Sequence, residues 1–189
     1  MNSHSSGAAE PDHVEFNPAT FDPSKFPVFQ GLTDQECRDV LAQATSEKHA
    51  SGERIIREGN SNQILWFILS GQCQVCKTTE GGGEVELAVL GPGTVFGDMS
   101  FFNPAPHSAS VIARSNVEVL RLERSAFDEL ERSRPNLTSR IGLNTIKMLS
   151  DRLRRMDEWA HSLLERLEGE RHHEEWREFR SRLYSDWEF

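Results

Sequence analysis

The chain has 189 residues, of which 30 are acidic and 21 are basic, and its net charge is −9. This length suits one domain with an appendage, and the acidic balance opposes the electrostatic attraction on which nucleic-acid binding depends. The longest apolar run, Ile64 to Leu69, is too short to span a bilayer, and the N-terminus lacks a signal-peptide pattern. The three cysteines are too few for a secreted disulfide framework. We therefore expect a cytoplasmic protein that binds neither membrane nor nucleic acid.

The N-terminal residues 1–25 are rich in Ser, Ala, Pro and acidic residues and have no apolar periodicity, which predicts a disordered leader. Ordered structure is expected to begin near Phe26. Thr33 then has the character of a helix N-cap, and Glu36 stands at the reciprocal capping-box spacing. We therefore predict a short helix over about 33–45.

The middle of the chain consists of short apolar runs separated by glycine, asparagine and proline. Such runs of four to eight residues are typical of the strands of a compact sandwich or barrel. Residues 50 to about 124 are therefore predicted to be all-β. The exception is one helical turn after Gly97, in which Asp98 occupies the first turn and Phe101 and Phe102 face inward.

Cysteine pairs in this region raise the question of a metal site. Cys73 and Cys76 form C-x-x-C on a predicted strand, where a separation of three places the side chains on opposite faces. Zinc normally takes four ligands, and only Cys37 remains, so buried structural cysteines are favoured. Trp66 is likewise expected in the core.

The histidines also lack the grouping that a metal site needs. A cupin-type metalloenzyme needs two or three histidines and a carboxylate on facing strands, but the β-region offers only His107, with His49 just before it. His172 and His173 lie in a charged helical segment, which favours a solvated face. We predict no metal, no catalytic residue and no enzymatic activity.

The C-terminal third reads as helical. Ser125 is predicted to cap a helix that stops before Pro135. Beyond it, apolar residues recur at alternating spacings of three and four: Ile146, Leu149, Leu153, Met156, Ala160, Leu163 and Leu167.

This spacing is a heptad seam, which predicts a dimerisation helix over residues 136–168 that forms a coiled coil between two chains. The alternative is a helix that packs back on its own β-domain. After a possible break at Gly169, residues 169–189 are predicted to form an amphipathic helix with Trp176, Phe179, Leu183 and Trp187 on one face.

Four segments, in this order, resemble the cyclic nucleotide-binding domain superfamily of the catabolite activator protein and the protein kinase A regulatory subunit. "FPVFQGLTDQE" resembles its entry helix, "GERIIREGN" its G-E-x-I-x-x-E-G turn, and "WFILSGQCQV" its apolar strand with an S-G turn. "LGPGTVFGDMSFFNPAPHSASVIA", residues 90–113, resembles its phosphate-binding cassette. The resemblance covers about residues 26–160.

This resemblance implies a mainly β fold with flanking helices: a jelly-roll, or double-stranded β-helix, of eight strands over residues 26–135, followed by a long coiled-coil helix. It implies ligand-binding residues Phe96, Gly97, Asp98, Met99, Ser100, His107, Ser108 and Ala109. The cyclic phosphate would lie over the amides that open the short helix, where free N–H groups and the helix dipole favour an anion.

Two of these positions depart from the family. Asp98 replaces a glutamate that accepts from the ribose 2′-hydroxyl, and His107 replaces an arginine that pairs with the phosphate. A guanidinium is always charged and presents two parallel donors, whereas histidine titrates near pH 6.5, roughly, and offers one donor per nitrogen. Weakened, pH-sensitive or altered binding of cAMP or cGMP is expected, and complete loss stays open.

The implied function is that of a homodimeric sensor module that signals through an unidentified protein partner. The alternative is a ligand-free scaffold that keeps the fold and the dimer helix. A helix-turn-helix is not expected, because only about 20 residues follow the heptads. A third reading makes the chain a fragment of a larger regulator or channel.

Overall fold

A computed structural model describes residues 12–14, 21–166 and 170–185 of the chain. The chain divides into two units, residues 1–145 and 146–189. The strands are β1 (Asp12–Val14), β2 (Thr45–His49), β3 (Arg54–Ile56), β4 (Ile64–Ser70), β5 (Cys73–Thr78), β6 (Glu84–Leu90), β7 (Val95–Phe96), β8 (Ser110–Ala113) and β9 (Val117–Glu123). The helices are α1 (Asp34–Leu41), α2 (Asp98–Phe102), α3 (Arg124–Ser133), α4 (Pro135–Arg166) and α5 (Glu170–Ser185).

The strands form two antiparallel sheets. One has five strands in the order β1-β2-β9-β4-β7, and the other has four in the order β3-β8-β5-β6. The consecutive short strands with glycine turns thus form a β-roll, and the predicted mainly β fold with flanking helices and a long C-terminal helix is confirmed.

The interior of the roll explains why these strands form. Apolar residues from both sheets make one buried cluster: Ile56, Trp66, Ile68, Cys73, Phe96, Val111, Ala113, Val117 and Val119. Side chains alternate between the two faces of a strand, so every second residue of a strand can join this cluster. Burial of these apolar side chains drives the packing. The predicted core position of Trp66 is confirmed.

The N-terminal region differs from the prediction in two ways. Strand β1 lies within the predicted disordered leader and pairs with β2, and a short 3-10 turn, Pro23–Lys25, precedes the predicted start of order at Phe26. The rest of the leader, residues 1–11 and 15–20, lies outside the described residues. The local composition of Asp12–Val14 did not indicate a strand, which forms here by pairing with β2.

Helix α1 begins as predicted and ends early. Thr33 and Glu36 form the expected capping box, in which the Thr33 hydroxyl accepts from the Glu36 amide at 3.2 Å. The predicted end at residue 45 is wrong, and so is the start of the β-region at residue 50, because Thr45–His49 is strand β2. This segment pairs with β9, so a tertiary contact overrides the helical pattern.

Helices α3 and α4 follow the last strand of the roll. Helix α3 begins at Arg124 with Glu123 as N-cap, so the predicted cap at Ser125 is wrong by two positions. Helix α4 opens on Pro135, where the missing amide costs nothing. Asn144 anchors this part of α4, because its Nδ2 donates to the carbonyls of Val28 at 3.0 Å and Gln30 at 2.8 Å.

The second unit begins at Ile146, within α4. Most of the heptad side chains are exposed there: Leu153 is 63% and Met156 is 62% exposed. We call Ile146, Leu149, Leu153, Met156, Ala160 and Leu163 the α4 seam. The seventh predicted member, Leu167, lies outside the described residues, as do Gly169 and Trp187. None of the described helices has a segment long and apolar enough to cross a bilayer.

Candidate functional site

The site begins at a tight turn where β7 leads into α2. Gly97 adopts φ 81°, in the left-handed region, and a Cβ there would stand 2.5 Å from the Ile64 carbonyl oxygen and 2.8 Å from the Trp66 ring. Neither the backbone carbonyl nor the buried indole can move away cheaply. Only glycine therefore fits this position, and the close packing places the first turn of α2 against the roll.

Helix α2 then presents three of the predicted residues. Asp98 and Ser100 are buried, while Met99 is exposed. The Met99 amide donates to Asp98 Oδ1 at 3.1 Å, and the Phe101 amide closes the turn on the Gly97 carbonyl at 3.0 Å. The predicted ribose acceptor, Asp98, is thus turned into the protein at the opening of the helix.

His107 lies at the other end of the loop that follows α2. Its ring is only 6% exposed and bridges two side chains: Nδ1 lies 3.1 Å from Ser100 Oγ, and Nε2 lies 2.8 Å from Asn62 Oδ1. The backbone is fixed as well, because the His107 amide donates to the Asn60 carbonyl. Side-chain hydrogen bonds therefore connect Ser100 of α2 through His107 to Asn62, in the loop before β4.

The environment of His107 decides its charge. Burial lowers the pKa of the imidazole below its usual 6.5, because desolvation disfavours the charged form. Since Asn62 Oδ1 can only accept, the neutral ring carries its proton on Nε2, and Nδ1 accepts from the Ser100 hydroxyl. At neutral pH, His107 is a structural bridge without a charge.

This arrangement differs from the role expected of His107 as a titrating phosphate contact. Both ring nitrogens have partners within the protein, and so does the Ser100 hydroxyl. Sequence reasoning missed Asn62, which stands 45 residues before His107. No periodicity or spacing links the two positions, so only the folded chain brings them together.

The residues after His107 form the second edge of the site. Ser108 is exposed and Ala109 is half-buried. The Ser108 carbonyl accepts from Lys77 Nζ at 2.6 Å, and the buried Ser110 hydroxyl accepts from the Glu58 amide at 3.0 Å. Neither Lys77 nor Glu58 was singled out from the sequence.

The far end of α2 is joined to α3. The Phe101 carbonyl accepts from Gln63 Nε2 at 3.1 Å and from Arg124 at 3.5 Å. The Arg124 guanidinium also lies over the rings of Phe101 and Phe127, 5.6 and 5.4 Å from their centroids. A displacement of α2 would therefore act directly on the helix that leads to α4.

The back wall of the site is aromatic. Trp66 and Phe96 stack with parallel rings whose centroids are 5.5 Å apart, and the His107 ring lies 6.4 Å from that of Trp66. Phe96, a predicted ligand residue, is buried in this stack. Its part in ligand binding would be to support Gly97 and α2 from behind.

The other candidate chemistry is absent from the described part of the chain. No group of three or more His, Cys, Asp and Glu side chains that could hold a metal ion occurs there. All three cysteines are free and buried, and burial raises the pKa of the Cys73 thiol to about 11. The predicted structural burial of the cysteines is confirmed. His49 lies 3.4 Å from a carboxylate oxygen of both Glu47 and Glu53.

Comparisons with known proteins agree with this geometry. A family model described as the cyclic nucleotide-binding domain matches residues 46–134. The cyclic AMP receptor protein of Thermus thermophilus is 34% identical over 131 residues, which are 69% of this chain and 59% of that protein. The cAMP-dependent protein kinase regulatory subunit of Debaryomyces hansenii is 38% identical over 104 residues, or 54% of this chain and 22% of that protein.

A solved structure shows the same architecture. The cyclic nucleotide-binding domain from Methylobacillus flagellatus superposes with a TM-score of 0.66 at 25% identity, covering 75% of this chain and 78% of that one. The chain spans little more than half of the Thermus protein, so the match concerns the shared domain.

Proposed function

Residues 46–134 belong to the cyclic nucleotide-binding domain superfamily, and on that premise we propose that the protein is a regulatory module, without enzymatic activity, that binds a cyclic nucleotide and signals through a protein partner. The proposed ligand residues are Phe96, Gly97, Asp98, Met99, Ser100, His107, Ser108 and Ala109. We propose a cytoplasmic location for it.

One observation carries this proposal: a glycine that no other residue can replace opens α2 against the wall of the roll. The first amides of a helix have no acceptors within it, and the helix dipole adds a partial positive charge. A cyclic phosphate over the start of α2 would receive the amides of Asp98 and Ser100, because the Met99 amide already donates to Asp98 Oδ1. The Asp98 carboxylate would accept from the ribose. These donors support the proposal that the start of α2 would accept an anion in the absence of the family's arginine.

The route for a signal follows from the contacts of α2. Ligand binding at its N-terminal end would shift Phe101, whose carbonyl holds Arg124 of α3. Helix α3 is followed at once by α4, so the shift would reach the helix that carries the seam. Such a response requires that the ligand bind the two arrangements with different affinity.

The α4 seam is the basis for a proposed homodimer. Its side chains repeat at heptad spacing and are largely exposed, and an exposed apolar stripe of this length favours association. Two copies of the seam are self-complementary, as a two-fold interface requires.

Isothermal titration with cAMP and with cGMP tests ligand binding directly. We expect weak binding by the wild type, and a His107→Arg variant that binds about tenfold more tightly, because it restores a charged phosphate partner. Asp98→Asn serves as the matched variant, since it removes the ribose acceptor charge and should weaken binding in either background. A wild type that releases no heat with either nucleotide would overturn the proposal.

A ligand-free scaffold is the second candidate. The observation that favours it is the His107 bridge, which engages the Ser100 hydroxyl and both ring nitrogens within the protein. In that case His107→Arg alone would bind nucleotide, and dimerisation through α4 would persist without any ligand.

A further inference from the structure

The site as described has a charge deficit. A cyclic nucleotide carries one negative charge on its phosphate, and the residue at the family's arginine position is a neutral, buried imidazole. Helix amides and a dipole supply only partial charges. A full positive charge near the cassette would have to come from a side chain outside it.

Lys77 of β5 is such a side chain. Its Nζ donates to the Ser108 carbonyl at 2.6 Å, so the ammonium lies directly beside the residue that follows His107. The same Nζ lies 2.9 Å from Glu58 Oε1. These contacts hold the charge at the edge of the cassette.

Strand alternation places Lys77 on the face of β5 that carries the interior residues. Strand β5 pairs with β8 in a regular register, in which Cys76 lies opposite Ser110. Since side chains alternate along a strand, Lys77 shares a face with Cys73 and Val75, and both of these belong to or pack on the interior cluster. Lys77 is the outermost of the three, with its side chain 49% exposed. The Lys77 side chain is therefore half-exposed at the end of this face.

Glu58 fixes the position of this ammonium. Its carboxylate accepts from the Thr78 amide at 2.8 Å, and this hydrogen bond, together with Lys77, lowers the pKa of Glu58 to about 2. The carboxylate is thus ionised at every relevant pH. The Thr78 amide holds the Glu58 carboxylate in place independently of Lys77. The carboxylate can therefore orient the Lys77 ammonium.

The ammonium keeps donor capacity for a ligand. It has three N–H donors, and described residues engage it through one carbonyl and one carboxylate. A phosphate over the opening of α2 would lie between the α2 amides and the Ser108 edge. A ligand that contacts Ser108 would come next to the ammonium, because Lys77 Nζ donates to the Ser108 carbonyl.

We propose that Lys77 is the cationic partner of the ligand phosphate and takes over the charge that His107 does not supply. This inference rests on the proposed function, because it concerns the same pocket. It makes a strand residue outside the cassette a determinant of specificity for an anionic over a neutral nucleoside ligand.

The test compares two ligands that differ only in the charged group. Binding of cAMP and of adenosine, which has the same base and ribose without the phosphate, is measured by titration for the wild type and for Lys77→Gln. We expect Lys77→Gln to weaken cAMP binding about tenfold and to leave adenosine binding within about twofold, since only the phosphate contact is lost.

Three further variants separate charge from structure. Lys77→Arg keeps the positive charge and should retain cAMP affinity within about threefold. Glu58→Gln removes the charged partner that positions the ammonium and should weaken cAMP binding about threefold, with adenosine binding unchanged. Lys48→Gln removes the same charge from an exposed position on β2, in the other sheet, and should change neither ligand.

Equal weakening of both ligands by Lys77→Gln would show a structural role only and would overturn the inference. Unchanged binding of both ligands would overturn it as well, while leaving the proposed function intact. Absence of cAMP binding by the wild type would overturn the proposed function and this inference together.

Discussion

The roll interior and the α4 seam are both built from regularly spaced apolar residues, yet they end in opposite environments. In the roll, β4 contributes Trp66 and Ile68 to a cluster that residues from the other strands close on every side. In the seam, Leu153 and Met156 are more than half exposed. Apolar side chains are buried within the unit in the roll, whereas in the seam most of them are exposed.

The spacing of the apolar residues explains this difference in burial. Alternation with period two in several strands lets one chain supply both faces of a core. A heptad stripe on one long helix needs a second stripe of equal length. Perturbations inside the roll should therefore change the stability of the monomer, whereas perturbations of the seam should change association and leave the monomer folded.

The largest effect is expected at the turn that opens the site. Gly97→Ala should lower the free energy of unfolding by about 3 kcal/mol, because it adds a left-handed alanine to a steric overlap with the Ile64 carbonyl and the Trp66 ring. Chemical denaturation measures this. Gly82→Ala is the matched control, since Gly82 has φ 80° with no atom within 4 Å of the added Cβ, and it should cost about 1 kcal/mol. Equal losses in the two variants would refute the steric argument.

The seam should respond in the opposite way. Leu153→Asp places a charge in the proposed dimer interface and should raise the dimer dissociation constant about 100-fold or more, with little change in the unfolding of the monomer. Analytical ultracentrifugation over a concentration series reports both species. Ser150→Asp, an exposed position on the same helix outside the seam, should leave association unchanged. A wild type that stays monomeric at high concentration would contradict the proposed dimer.

Asn144 connects the first part of α4 to the segment before α1. Asn144→Ala should cost about 2 kcal/mol of stability, because the buried carbonyl of Val28 and that of Gln30 lose their donor. Thermal and chemical unfolding give the value. Lys147→Ala, one turn later on the exposed side of α4, is the control and should fall within about 0.5 kcal/mol of the wild type. A neutral Asn144→Ala would mean that water replaces the amide.

The smallest effect is a pH dependence from His107. Its folded pKa lies below the unfolded value, so as pH falls through about 6.5 the unfolded chain takes up a proton before the folded protein does. Stability is therefore full above that pH and declines as the solution becomes more acidic. His107→Gln, which keeps one donor and one acceptor for Asn62 and Ser100, should lose less stability between about pH 7.5 and 5.5 than the wild type. Identical pH profiles would show that His107 does not titrate in this range.

Much of the fold could be predicted from local signals. The capping box of Thr33 and Glu36, the short β-runs with glycine turns and the long helix that carries the heptads follow from local sequence patterns, and each is present in the structure. Pairing of the heptads between two chains stays a prediction. The errors lie at element boundaries. The predictions missed strand β2 and placed the cap of α3 two residues late. Pairing of β2 with β9 and the end of β9 depend on residues far along the chain.

The candidate site was predictable in its place and not in its chemistry. The resemblance to the cyclic nucleotide-binding family, carried by four quoted segments in order, located the cassette, the glycine turn at Gly97 and the departure at His107. The tertiary structure decided that His107 is a buried, neutral bridge, that Asn62 is its partner from 45 residues away, and that Lys77 lies against Ser108 across 31 residues. Periodicity encodes which face of an element is apolar, because that information is local. Charge state and hydrogen-bond partners depend on desolvation and on distant groups, and these exist only once the chain has folded.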